Sequence, residues 1–146
     1  MLTIPRGRET VNRLQTLLNA TFCARDELYA ASDALDQTVQ GTICRWLGDR
    51  LGGNSATLQQ IIAASGAKPV DPRSSQAAKE KLASISAADG SDGALKAAEL
   101  TEHELTERYD QAIRQLEDQE ILALLAWQRR EAEMADRVLR SLKPPA

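Results

Sequence analysis

Apolar residues recur at spacings of three and four along most of the chain, which is the pattern of helices that each bury one face. Between positions 94 and 116 this stripe comprises Leu95, Ala98, Leu105, Tyr109, Ile113 and Leu116. At 100° per residue, Glu102 falls at the centre of the stripe. A carboxylate in that position must be ion-paired, metal-bound, protonated or turned towards solvent, because burying an unpaired charge is too costly. Glu102 is therefore the first candidate functional residue.

The same periodicity predicts four helices, over about residues 9–32, 37–65, 94–116 and 119–142. Asp36 and Asp118 are the expected N-caps of the second and fourth helices, and Gly66 is the expected stop of the second. Residues 66–93 are too many for a simple loop. They predict a long crossover that leaves the second and third helices parallel, with residues 75–85 able to form a short helix and residues 88–93 a flexible turn. The expected fold is one all-α domain over residues 1–146, an antiparallel four-helix bundle.

Composition narrows the functional classes. Hydrophobic residues make up 42% of the chain and charged residues 27%, as in soluble globular proteins, while 3% aromatic content requires a core of Leu, Ala, Ile and Val. A net charge of −3 and a pI near 5.2 argue against a nucleic-acid-binding surface. The sequence contains neither a signal-peptide apolar region nor a membrane-length apolar segment. We therefore expect no membrane association and a cytoplasmic location.

Each predicted helix becomes polar near its middle. The interior positions there are Thr21, Asn54, Glu102 and Gln128, with Arg25, Arg50, Glu99 and Glu131 beside them. Arg25 and Arg50 are placed to pair with Glu102 and Glu131. We interpret this polar layer as a device that fixes the register of the helices. Glu27, on the outer flank of the first helix, is expected to be a surface charge.

The predicted chain has four helices, joined in pairs by short links on either side of a long crossover, and each helix is polar near its middle. This arrangement resembles the ferritin-like superfamily. The likeness is greatest to its small bacterial, stress-associated branches of uncharacterised function. It covers nearly the whole chain and rests on the architecture and on the stretches LDQTVQGTICRWLGDRL, GAKP, ELTEHELTERYDQAI and EMADRVLRSL. The resemblance implies a di-metal site built from a Glu on each of two helices and a Glu-x-x-His on each of the other two.

This chain departs from that metal motif. Thr21 occupies the slot of the first helix, the second helix offers Leu51 and Asn54, and the fourth offers a Gln-x-x-Glu that ends at Glu131. Glu102 alone clearly meets a requirement of the motif. We interpret the carboxylates Glu99, Glu102 and Glu131 as a vestigial metal site, and we expect no bound cofactor.

The sequence therefore predicts a non-catalytic structural or protein-interaction module, with a stress-related role implied by the resemblance. The segment Ile121–Trp127, ILALLAW, is apolar almost all round and predicts a homodimer interface. One alternative is a divergent metal-binding protein or oxidoreductase that uses Glu99, Glu102 and Glu131. A second is a histidine phosphotransfer bundle acting through His103, which is expected to be exposed. The acidic residues around His103 would repel a phosphoryl group, which disfavours the second alternative.

Overall fold

The computed structural model describes residues 7–70 and 90–142. These residues form four helices and no strand, which confirms the all-α prediction. The helices are α1 (Arg8–Ala34), α2 (Val39–Ala64), α3 (Gly90–Gln115) and α4 (Gln119–Ser141). The predicted helix over residues 75–85, and most of the predicted crossover, lie outside the described residues.

Local hydrogen bonds define where α2 begins. The Thr38 hydroxyl accepts a hydrogen bond from the backbone N–H of Gly41 at 3.0 Å, so Thr38 is the N-cap. The prediction of Asp36 as N-cap was wrong. The chain is still turning after Asp36, since Gln37 takes a left-handed backbone conformation with φ of 61°.

The other predicted helix ends have mixed outcomes. Asp118 is confirmed as the N-cap of α4, because its carboxylate accepts hydrogen bonds from the backbone N–H groups of Glu120 and Ile121 at 3.0 and 3.1 Å. Gly66, with φ of 90°, follows the last turn of α2 and ends it as expected. At the start of α3, residues 90–93 are helical. The predicted flexible turn there was wrong, because these residues join the helix that follows them.

The apolar stripes of the four helices meet in one core. Leucine supplies half of the buried residues in it, and the buried leucines are Leu14, Leu17, Leu18, Leu28, Leu35, Leu47, Leu51, Leu58, Leu95, Leu105, Leu116, Leu125 and Leu139. The closest helix pairs are α1 with α2, α3 with α4 and α1 with α3. None of the described helices combines the length and the apolar character needed to cross a membrane.

α1 and α2 pack closely at two glycines of α2. A Cβ atom on Gly41 would overlap the backbone carbonyl of Leu35, and one on Gly48 would lie 2.6 Å from the Tyr29 ring. The Ser32 hydroxyl donates a hydrogen bond to the Gly41 carbonyl at 2.8 Å across the same contact. Glycine at position 41 therefore permits backbone-to-backbone packing between the end of α1 and the start of α2.

Candidate functional site

Glu102 lies inside the bundle, as its place in the α3 stripe predicts. It is 1% exposed, and among the described residues its Oε2 atom has no hydrogen-bond partner. Burial, and to a lesser extent the negative charge of Asp136, together raise the pKa of this carboxyl from 4.5 to about 8. Burial therefore favours the protonated form of Glu102 at neutral pH, and within the described ranges no cation forms an ion pair with it.

A small cavity lies next to Glu102 at the seam between α2 and α4. Its volume is about 10 Å³, and its polar wall consists of Arg50, Asn54, Glu102 and Glu131. Leucine side chains of α2 and alanine side chains of α4 complete the lining. The cavity, which is partly open to solvent, thus places two carboxyl groups and one guanidinium around a single small space.

A chain of hydrogen bonds crosses the bundle beside this cavity. Arg50 forms an ion pair with Glu131 at 2.9 Å, and the Asn54 side-chain N–H donates to the same carboxylate at 3.2 Å. The Gln128 amide donates to the Asn54 backbone carbonyl at 3.4 Å. Gln128 in turn accepts a hydrogen bond from the Tyr109 hydroxyl at 2.9 Å. The predicted polar layer therefore exists across α2, α3 and α4, and the predicted pairing of Arg50 with Glu131 is confirmed.

Arg25 does not join this layer. Its guanidinium forms an ion pair with Asp26 at 2.9 Å and stacks over the Phe22 ring at 4.9 Å. The predicted pairing of Arg25 with Glu102 was wrong, because nearer partners on α1 satisfy the guanidinium.

Thr21 and Glu99 differ in their relation to the predicted layer. The Thr21 hydroxyl is buried and donates to the Leu17 carbonyl of its own helix at 2.8 Å, and its side chain also interacts with the Tyr109 hydroxyl of the layer. The Glu99 carboxylate pairs with Arg140 of α4 at 3.4 Å. Glu102 and Glu131 therefore share the cavity, while Glu99 belongs to the edge where α3 meets α4.

The residues present do not fit the di-metal site that the resemblance implies. Glu131 is paired with Arg50 and Glu99 with Arg140, so two of the three expected carboxylates already have cationic partners. Within residues 7–70 and 90–142, no three His, Cys, Asp or Glu side chains come together in a way that could hold a metal ion. A guanidinium in the cavity wall also disfavours a divalent cation electrostatically.

His103 lies on the exposed edge between α3 and α4, as expected. Its Nδ1 atom is 3.3 Å from the Arg140 guanidinium and 3.6 Å from the Asp136 carboxylate. Its Nε2 atom is 3.3 Å from the Glu107 carboxylate. Two carboxylates next to the ring oppose the approach of a phosphoryl group, and one guanidinium favours it.

Glu27 and Thr101 form a buried contact that the sequence did not predict. Glu27 is 4% exposed, and its carboxylate accepts a hydrogen bond from the Thr101 hydroxyl of α3 at 2.8 Å. The prediction of Glu27 as a surface charge was therefore wrong. A signal for its burial exists in its spacing, three residues after Ala24 and four before Ala31, since both alanines are buried.

Large apolar side chains are exposed on both sides of the α2/α4 seam. Trp127, Met134 and Val138 are seven and four residues apart on α4, so they share one stripe on the side that carries Glu131. On α2, Trp46 lies one turn before Arg50, whose guanidinium stacks over the indole at 5.0 Å. We call the surface formed by Val39, Trp46, Trp127, Met134 and Val138 the α2/α4 face.

The segment that predicted a dimer interface overlaps this face only in part. Ile121 and Leu125 are buried in the core of their own chain, and Leu122 and Leu124 pack partly against it. Trp127 is 58% exposed. The apolar character of Ile121–Trp127 is thus mostly used inside the bundle, and Trp127 is the large side chain of the segment that a partner could reach.

Comparisons of the chain with protein-family models, with curated proteins and with solved structures gave no match.

Proposed function

We propose that this chain acts as a non-catalytic structural or protein-interaction module that associates with a second copy of itself through the α2/α4 face. The observation that carries this proposal is the concentration of exposed apolar residues. Of the six large hydrophobic side chains exposed in the described part of the chain, five belong to this face, and the sixth is Leu100 on α3. An apolar surface gathered on one face is typical of an interaction site.

The chemistry of the face favours a second copy as its partner. Trp, Met and Arg are the residue types enriched at protein–protein interfaces, and all three occur here. Two ion pairs lie on or beside the face, Arg50 with Glu131 and Arg137 with Glu133, each at 2.9 Å. Because each pair is neutral in sum, these four charges add little repulsion between two identical faces. A two-fold contact requires only that one patch be complementary to itself.

We further propose that the fold is the ferritin-like, antiparallel bundle that the sequence resembles, with a crossover between α2 and α3. The contacts between helices support the antiparallel directions. Ser32 forms a hydrogen bond with Gly41, and Tyr29 forms one with Asp49. An earlier residue of α1 therefore contacts a later residue of α2, as in an antiparallel pair. We also propose a cytoplasmic location and a stress-related role, the second of which the resemblance implies.

Oligomeric state tests the proposed interaction. The full chain, Met134→Arg and Leu100→Arg would be compared by sedimentation velocity over a range of protein concentrations. Met134 and Leu100 are exposed to similar extents, 59% and 53%, so the second variant is a matched control outside the face. Circular dichroism would establish that each variant keeps its helix content.

We expect a concentration-dependent dimer for the wild-type chain and for Leu100→Arg, and a monomer for Met134→Arg. The arginine at position 134 would bring an unpaired charge into the apolar contact on both copies. A wild-type chain that remains monomeric at concentrations of about 100 μM, a weak-affinity regime, would exclude association with a second copy as its function. Equal dissociation of both variants would place the interface elsewhere.

A further inference from the structure

The cavity at the α2/α4 seam has the size and the chemistry of a site for one small polar molecule. Its volume of about 10 Å³ is close to the minimum that holds a water molecule. The Glu102 side chain forms part of its wall, and the buried Oε2 atom of that side chain has no hydrogen-bond partner among the described residues. A buried carboxyl oxygen without a partner is costly, so its surroundings need to supply one.

We propose that this cavity binds one water molecule, which connects the carboxyl group of Glu102 to the ion pair of Arg50 and Glu131. The protonated carboxyl donates its hydrogen bond to the water oxygen. The water then donates to a carboxylate oxygen of Glu131 or to the side-chain carbonyl of Asn54. An ordered internal water typically makes about three hydrogen bonds, and the cavity wall offers four polar side chains, those of Arg50, Asn54, Glu102 and Glu131.

The hydrogen-bond capacity of Glu131 permits this arrangement. One of its oxygens contacts Arg50 and the other accepts from Asn54, at 2.9 and 3.2 Å. Each carboxylate oxygen has two lone pairs, so a further donor can be accommodated. The water therefore extends the polar layer to Glu102 without displacing a bond that the layer already makes.

The charges around the cavity favour water over a cation. Glu131 and Asp136 of α4 contribute negative charge near Glu102, and Arg50 of α2 contributes positive charge from the cavity wall itself. Cys44 of α2 also lies near Glu102. Its pKa is raised to about 11, mainly by burial and to a lesser extent by the charge of Glu102, so the Cys44 thiol is neutral. Ca²⁺ takes six to eight oxygen ligands, more than this wall provides.

High-resolution crystal structures of the wild-type chain, Glu102→Gln and Glu102→Leu, grown near pH 6, would test this site directly. Glutamine keeps a polar group that can bond the water, whereas leucine has a similar volume and no polar atom. Water ¹⁷O relaxation dispersion on the same three proteins would count the long-lived internal waters in solution. The second measurement covers a variant that does not crystallise.

We expect an ordered water within about 2.6–3.2 Å of the residue 102 side chain and of Glu131 or Asn54 in the wild type and in Glu102→Gln. Glu102→Leu should lose that peak and one long-lived water. An empty cavity in the wild type, or a water that persists in Glu102→Leu, would overturn the proposal. A peak held at about 2.0–2.5 Å by several oxygens would overturn it as well, since that is the coordination of a metal ion.

Discussion

Arg50 pairs with Glu131 at 2.9 Å, and this ion pair leaves the neighbouring Glu102 without a cation. Both carboxyl groups line one small cavity, but their environments differ. Glu131 is 19% exposed in its side chain and accepts bonds from two donors. Glu102 is almost fully buried, and its pKa is raised to about 8. The α2/α4 seam thus combines an ionic pair at its surface with a neutral acid beneath it.

The raised pKa of Glu102 predicts that the wild-type chain loses stability as the pH rises. Below pH 4.5, the pKa of this carboxyl in the unfolded chain, Glu102 is protonated in both the folded and the unfolded state, so it does not make stability depend on pH. Between 4.5 and about 8 the unfolded chain releases the proton while the folded chain retains it, so the free energy of unfolding falls, by at most about 1.4 kcal/mol per pH unit. Above a pH of about 8 the carboxyl is ionised in both states, so the loss in the free energy of unfolding no longer grows.

Glu102→Gln should remove the part of the pH dependence of stability that comes from titration of Glu102. Urea denaturation at several pH values from 5 to 8 would compare the slopes of the two proteins. The wild type should lose stability more steeply than the glutamine variant, because only the wild type carries the titrating group. Parallel slopes would mean that Glu102 is ionised in the folded state.

Glu102→Leu should leave the free energy of unfolding at pH 7 unchanged or raise it. Removing one partner of a buried ion pair is costly because it leaves the other charge unpaired. Here Glu102 has no such partner, since Arg50 is paired with Glu131 and Arg25 with Asp26. Leucine also fits the apolar surroundings of α3 at a similar volume. The measurement is the urea midpoint of the variant against that of the wild type. A loss of several kcal/mol would reveal a partner of Glu102 that compensates its carboxyl.

A double-mutant cycle of Arg50→Ala with Glu131→Gln should show a coupling energy of about 0.5–1 kcal/mol. The pair lies partly exposed at the seam, where solvent weakens the interaction. The control cycle, Arg25→Ala with Glu102→Gln, should show no coupling, because Arg25 bonds Asp26 instead. Coupling in the control cycle alone would restore the pairing that the sequence predicts and reject the observed one.

Helical periodicity was sufficient to predict the four helices and the burial of Glu102, because position 102 is fixed by the residues on its own helix. The partners of polar side chains were harder to predict. Arg25 could reach either Asp26 or the interior, and the choice depends on the rotation and separation of α1 and α2. Burial at the flank of a stripe depends on the neighbouring helix too. Glu27 is buried because Thr101 of α3 covers that flank of α1.

Thr101→Val should destabilise the chain by about 1–3 kcal/mol. Valine keeps the shape of threonine but removes the hydroxyl that donates to the buried Glu27 carboxylate at 2.8 Å, which leaves a polar group less well satisfied. Thr101→Ser retains the hydroxyl and should lose less, about the value of one buried methyl group. Thermal and urea unfolding of the two variants would separate the hydrogen bond from the packing. A loss in Thr101→Ser with none in Thr101→Val would indicate that packing alone makes Thr101 important.

Gly41→Ala and Gly53→Ala should change stability in opposite directions although both replace a helical glycine of α2. A Cβ atom at position 41 overlaps the Leu35 carbonyl, so α2 must move away from α1 and lose about 1–3 kcal/mol of packing. A Cβ atom at position 53 meets nothing within 4 Å, so alanine should gain up to about 1 kcal/mol from its higher helix propensity. Urea midpoints of the two variants against the wild type provide the comparison. A stabilising Gly41→Ala would show that the helices have room to separate there, and the Ser32 bond to Gly41 would then be the weaker constraint on the α1/α2 contact.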